Sequence, residues 1–477
     1  MTTQPADLNQ IETESTTVRL RMILFLVCAC QFMVILDSSI VNVALPSVQR
    51  DLGFSGTGLA WVVNGYLLTF AGFMLVGGRA ADLFGQRRTI VAGLAVFSVS
   101  SLVAGLATTP DVLVGSRIVE GFGAAMLAPS TLAVINTYFT GGGARAKAFG
   151  AWSASGGLGG LAGTVVGGAL TTGLSWRSVF LINLPIGVVL ISVAALSLRA
   201  VQGARGESLD LLGALTGTAT LAALIYGVMQ STSSGWTSPR VVVPLILGVV
   251  LLAVFLTLEA RVANPPMLPL RLFRIRSVAV ASGMLLLFGG VAIAMWYFTS
   301  LFMQDALGYS AFQSGMGQTP AAVLFVVVAR FAAGLLPRLG ARKLLLAGCA
   351  LLAAGFGWLS QADAGSSYLG NILGPTVLIA CGIGLTFPTL MAVATIEAAR
   401  GEAGIIGGIA TTASQVGGAV GLAVLATVAT ARGKAAHAHM PGSPLGLSYS
   451  SVFWMAVGLA LAIALLTVLL PARRAED

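Results

Sequence analysis

Apolar runs about as long as a bilayer is thick recur fourteen times along this 477-residue chain, and nearly every formal charge falls in the short gaps between them. A helix needs about 20 apolar residues to cross hydrocarbon. The runs are centred on residues 20–44, 60–77, 89–107, 111–137, 147–170, 178–198, 210–229, 241–261, 277–300, 315–336, 343–361, 369–392, 404–431 and 450–470. Open sheet edges cannot lie in lipid, and the runs are too long and continuous for barrel strands. Only 9% of residues are charged and the mean hydropathy is +0.92, whereas a soluble domain carries roughly 25% charged residues. The expected fold class is an all-α polytopic membrane protein with 14 transmembrane helices and no large soluble domain.

The net charge of +9 does not imply nucleic acid, because the basic residues stand singly or in pairs beside the spans. Arginine outnumbers lysine 23 to 3, which reads as a GC-rich bacterial coding bias. With the N-terminus inside, 20 of the 26 basic residues fall on the inner side and five on the outer; Arg117 lies within a span. This bias predicts that both termini are cytoplasmic, in the inner (plasma) membrane of a bacterium. The four cysteines, Cys28, Cys30, Cys349 and Cys381, lie within spans and read as small buried residues. His437 and His439 are expected in an outer loop, and no metal site is assigned to them.

The chain carries an internal echo. Gly85-Gln86-Arg87-Arg88 follows span 2 and Gly340-Ala341-Arg342-Lys343 follows span 10, and spans 5 and 13 are both rich in glycine. The simplest division is a disordered tail over 1–19, a six-helix half over 20–200, two inserted helices and a linker over 201–276, and a second six-helix half over 277–477. Parallel repeats of this kind are characteristic of transporters.

Four stretches carry chemistry. Asp37 sits in Leu36–Pro46 of span 1. An acid at that depth is costly unless it faces a cavity or a partner, which makes it a candidate proton or substrate group; the alternative is a helix-end acid at the headgroups. Arg117 and Glu120 in span 4 are three apart and share a helix face, so they form either a static ion pair or a proton relay. Gly78, Asp82, Gly85, Arg87 and Arg88 between spans 2 and 3 suit a tight turn with a charge latch at the cytoplasmic gate, or a topological anchor. In span 5, Gly156, Gly160, Gly163 and Gly167 form a stripe that permits close helix contact and sliding. Thr411 and Gln415 align with Gly408 and Gly418 in span 13 and, with Asn64 and Tyr66 of span 2, are the cavity candidates.

These stretches together resemble the major facilitator superfamily, and within it the fourteen-span drug:proton antiporters. Leu36–Pro46 looks like the span 1 motif of that branch, Gly78–Arg88 like the loop 2–3 motif, Arg117–Ala125 like the span 4 motif, and Gly159–Gly168 like the span 5 antiporter motif. Trp176-Arg177, Ile182–Gly187 and Gln304–Ser310 are also typical. The likeness runs from about residue 20 to 470. It implies a major-facilitator fold. It also implies coupling roles for Asp37 and Arg117, with Glu120 beside them, gating by Asp82 and Arg87, and antiport geometry from Gly159, Gly163, Gly167 and Gly168. Three residues depart from the pattern: Glu120 replaces a usual Gln, Thr164 replaces a usual Pro and so removes an expected kink, and Pro337 stands where the second half would carry an acid equivalent to Asp82.

The resulting expectation is proton-coupled export of small amphipathic drugs or antibiotics by a monomer in the bilayer, with no cofactor. Few intramembrane acids favour a neutral or singly cationic substrate. Transport of one metabolite or a self-made antibiotic, or nutrient uptake, is the alternative on the same fold. A membrane-embedded enzyme would need a catalytic cluster at one depth, and ATP-driven transport a phosphate loop; neither is evident.

Overall fold

The computed structural model describes residues 5–139, 142–199, 210–261, 266, 268–395, 403–439 and 446–470, which are helical apart from short turns. The helices are α1 (Pro5–Leu52), α2 (Gly56–Phe84), α3 (Gln86–Gly105), α4 (Pro110–Tyr138), α5 (Gly142–Gly173), the short α6 (Ser178–Leu181), α7 (Asn183–Ser197), α8 (Leu211–Ser234), α9 (Pro239–Arg261), α10 (Arg276–Ile293), α11 (Thr299–Asp305), α12 (Ala311–Leu339), α13 (Ala341–Leu359), α14 (Gly374–Thr395), α15 (Ala403–His439) and α16 (Gly446–Leu466). A π turn over Ala294–Phe298 joins α10 to α11, and another over Tyr368–Leu373 leads into α14. The chain is an all-α, multi-span membrane protein. By length and composition, twelve of the described helices can cross a membrane. Spans 2 and 5 of the expected set fall in α2, whose apolar stretch is the shorter Gly58–Met74, and in the glycine-rich α5.

Local chemistry sets the helix ends. Ser55 and Thr109 cap α2 and α4 by accepting from Gly58 N and Val112 N, and Pro110 occupies the first turn of α4. Gly85 (φ 88°) and Gly340 (φ 77°) make the two echoed turns with the same left-handed backbone, so the sequence repeat is also a structural one. Two boundaries differ from expectation. α1 begins at Pro5, because Ala6, Leu8, Gln10, Glu12 and Glu14 are compatible with a helix and acids favour its N-terminal end. α15 runs through Lys434 to His439, so both histidines lie on a helix rather than in a loop; their side chains fall outside the described residues.

The packing repeats between the two ends of the chain. α1 packs on α5, α2 and α3 on α4, and α3 on α7; in parallel, α10 packs on α15, α12 and α13 on α14, and α13 on α16. Two crossed contacts join the sets, α5 with α12 and α2 with α15. The α8–α9 hairpin stands outside this pattern and rests through α8 on α2 and α15.

Glycine makes the closest approaches. A Cβ on Gly417 would stand 1.8 Å from the Leu286 carbonyl oxygen, and one on Gly289 would stand 2.2 Å from the Ser414 oxygen. Lipid tails are as apolar as leucine, so helices in a bilayer adhere through such close van der Waals contact. Gly417→Ala collides with backbone, which no rotamer change relieves. It is expected to cost about 1–3 kcal/mol. Gly458→Ala meets nothing within 4 Å and is expected to be neutral. Thermal unfolding of the two purified variants compares them directly.

Candidate functional site

One end of the bundle carries Asp51, where α1 ends, and the other carries Arg87, at the turn from α2 into α3. Between them, α1, α2, α4 and α7 converge on one ionic cluster. α4 can lie against α2 because glycines remove the obstruction: a Cβ on Gly121 would meet Tyr66 O at 2.4 Å, and one on Gly77 would meet Ala125 O at 2.0 Å. Gly123 does the same against α3, at 2.8 Å from Phe97 N. That closeness brings Arg117 to the α2 backbone, where its Nε donates to Val62 O at 3.1 Å.

Arg117 Nη1 donates to Asp37 Oδ2 and to Glu120 Oε2, each at 2.7 Å. The three side chains are 1%, 0% and 0% exposed, so this is a buried triad. The guanidinium lies 4.4 Å from the Tyr66 ring centroid and 5.7 Å from that of Phe180, a favourable place for a desolvated cation. Asn183 Nδ2 donates to Asp37 Oδ1 at 3.0 Å and lies at the same distance from Ser101 Oγ, and Ser101 donates to Phe180 O at 2.9 Å. The Tyr66 hydroxyl and Asn183 Oδ1 are buried without a hydrogen-bond partner among the described residues.

At the Asp51 end a second cluster orients the same segment. Trp176 Nε1 and Arg177 Nη1 both donate to Asp51 Oδ2, at 2.9 and 2.7 Å. Arg177 also reaches Ala107 O, and Trp176 packs edge-on against Phe180. The entry to α6 is thereby held to α1 and to the turn after α3. That places Phe180 over Arg117 and Asn183 beside Asp37.

The expected coupling residues Asp37, Arg117 and Glu120 thus come together. Of the cavity candidates, Tyr66 stacks on Arg117, while Asn64 is fully buried and donates to Met229 Sδ of α8 at 3.7 Å. Thr411 bonds back to Gly407 O within its own helix, and Gln415 is half-buried on the same helix. Their helix packs on α2. At the Arg87 end, Gly78 packs on Pro129, Gly85 makes the turn, Arg87 is half-buried and Arg88 exposed. The Asp82 side chain lies outside the described residues.

In α5 the face against α1 consists of Gly156, Gly159, Gly160, Gly163 and Gly167. A Cβ on Gly159, Gly163 or Gly167 would come within 2.6–2.7 Å of α1. Gly160 has room there, and Gly168 faces α12 instead, 2.7 Å from Ala311 O. Thr164 leaves α5 continuous and bonds back to Leu161 O. Sequence reading missed the part of Ser101, a lone serine among apolar residues with no periodic signal. It noted Asn183 only within a typical run.

Residues 27–422 match the family model of the Major Facilitator Superfamily. The chain is 44% identical over 460 residues to the cephamycin export protein CmcT of Amycolatopsis lactamdurans, covering 94% of this chain and 92% of that one. It is 38% identical to the puromycin resistance protein pur8 of Streptomyces alboniger, with coverage of 94% and 90%. The methylenomycin A resistance protein of Bacillus subtilis is 32% identical, with coverage of 88% and 89%. The crystal structure of an auto-inhibited POT family peptide transporter shares the fold, with a TM-score of 0.70 at 16% identity and coverage of 96% and 98%.

Proposed function

This chain belongs to the Major Facilitator Superfamily, and from that premise we propose that it exports antibiotic-like small molecules in exchange for protons. It is a membrane transporter rather than an enzyme. Relatives that span nearly its whole length are an antibiotic export protein and resistance proteins, which supports outward transport of such compounds.

One observation carries the proton coupling: two fully buried carboxylates share a single guanidinium nitrogen. Fully ionised, the triad has a net charge of −1 in a place shielded from water. One bound proton makes it neutral. A buried, uncompensated charge is costly, so the cluster favours states with one proton or with another cation nearby. Both acids bond the same guanidinium nitrogen, so neutralising either one removes the excess negative charge.

In the proposed cycle, the cavity between the halves 20–200 and 277–477 takes up drug from the cytoplasm while the triad lacks its proton. Protonation from outside, with both termini cytoplasmic, releases the drug, and rocking about the crossed α5–α12 and α2–α15 contacts alternates access. Gly157 and Gly168 of α5 lie against Val326 and Ala311 of α12 and permit sliding at the first of those contacts, and the Gly78–Arg88 turn with Asp82 serves the cytoplasmic gate. Thr411 and Gln415 contribute polar groups from the second half, and Asn64 anchors the inserted hairpin. The protein acts as a monomer.

Proteoliposomes loaded with an antibiotic and given an imposed pH gradient provide the test. Uphill movement is expected to collapse when the gradient is dissipated. Undiminished uphill movement without it would rule out proton coupling. Movement that only equilibrates the drug would indicate a uniporter.

A further inference from the structure

We infer that Ser300, Gln304 and Thr172 form a reciprocal latch between the two halves at the Asp51 end, built on side-chain bonds to backbone groups of the turn before Pro46 and of the first turn of α12. The inference rests on the alternating-access reading above.

The first arm begins with Pro46 inside α1. Proline has no N–H, so the carbonyl of Asn42, four residues earlier, loses its helical donor, and the ring pushes the chain open at that point. The second half supplies a donor to that carbonyl and another to its neighbour. Gln304 Nε2 donates to Val43 O at 3.1 Å and lies 3.2 Å from Ser300 Oγ. The Ser300 hydroxyl is then free to donate to Asn42 O, at 3.4 Å. The Val43 bond is the stronger, since 3.4 Å is long for a hydroxyl donor. Ser300 is fully buried and also lies 3.2 Å from Ser314 Oγ of α12. The pair stands just beyond the π turn at Ala294–Phe298, an irregularity that often marks functional positions.

The second arm runs the other way. Phe312 lies in the first turn of α12, where backbone N–H groups have no intrahelical acceptor. Its N–H donates to Thr172 Oγ1 of α5 at 3.1 Å. Around it the helices touch at backbone distance: a Cβ on Gly315 would lie 2.1 Å from Thr164 O, and one on Gly168 would lie 2.8 Å from Phe312 Cα.

Each half therefore completes a backbone group of the other. Such bonds suit a gate. When the Asp51 end opens, water can take over every donor and acceptor, so the net cost of parting is small, whereas a buried ion pair would resist it.

The test uses the full chain in nanodiscs, with the four native cysteines replaced and spin labels at Leu174→Cys and Met316→Cys, both exposed positions. Pulsed EPR reads the distance between the halves. The parent is expected to give one short distance. Gln304→Met keeps the side chain's length without a donor, and it should add a longer population, raising the open-to-closed ratio about five- to tenfold. Thr172→Val should do the same more weakly, and the two effects should multiply if the arms act independently. If Gln304→Met does not fold, Ser300→Ala and Thr172→Val carry the test. Distance distributions that match the parent in every folded variant overturn the latch. A latch that behaves as described in a protein that exports nothing would leave this inference standing and remove the transport reading.

Discussion

Arg117→Met is expected to damage this protein more than removing the whole triad does. Among the described residues, Arg117 is the only cation bonded to these two carboxylates, which are 0% exposed. Deleting it strands both of them and vacates a position between the Tyr66 and Phe180 rings. Breaking a buried ion pair from one side typically costs about 3–5 kcal/mol, whereas replacing all the charged partners with neutral groups of similar shape is often close to neutral. The triple variant Arg117→Met, Asp37→Asn, Glu120→Gln is therefore expected to recover most of the folded yield and thermal stability lost in Arg117→Met. It should do so without recovering uphill transport. Size-exclusion profiles and thermal unfolding of the purified single and triple variants measure the first claim, and vesicle transport the second. A triple variant as unstable as the single one would mean that Arg117 acts through packing rather than charge.

The second large effect concerns coupling. Asp37→Asn keeps the size of the side chain and can still accept from Arg117 through its amide oxygen, while its NH2 can donate to the unpartnered Oδ1 of Asn183 once that amide turns over. The triad then holds one cation and one carboxylate, is neutral, and has no need of a proton. Folding should be unaffected, and drug should still exchange down its concentration difference. Uphill export driven by a pH gradient should fall to the passive background. Glu120→Gln should behave in the same way, because it too leaves one cation and one carboxylate. Efflux from proteoliposomes with and without the gradient separates these outcomes. Gradient-driven export by either variant at the parental rate would remove that acid from the coupling path.

The residues of the site differed in how readily the sequence revealed them. Asp37 stood out because an acid within an apolar run has an obvious cost. Arg117 and Glu120 stood out as a pair because three residues make almost one helical turn. That Asp37 and Arg117, 80 residues apart, are partners was not visible, nor was the addition of Asn183 and Ser101 to the group. The α5 stripe Gly156, Gly160, Gly163 and Gly167 lies along α1, but one of the tightest approaches is made by Gly159, which falls outside that spacing. A spacing of three or four cannot say which side of a helix its neighbour takes. The latch was hidden further still. Pro46 is readable as a missing donor, but its replacement donors lie more than 250 residues away.

Order along the chain determined the class, the approximate span positions, the echoed glycine turns and the presence of costly charges, because each depends on local transfer free energy or on one residue's backbone freedom. Tertiary structure alone decided which charges share a counterion, which glycine faces touch, and how the two halves complete each other's backbone. Those depend on distances between helices, which hydropathy does not encode and backbone contact at glycine sets.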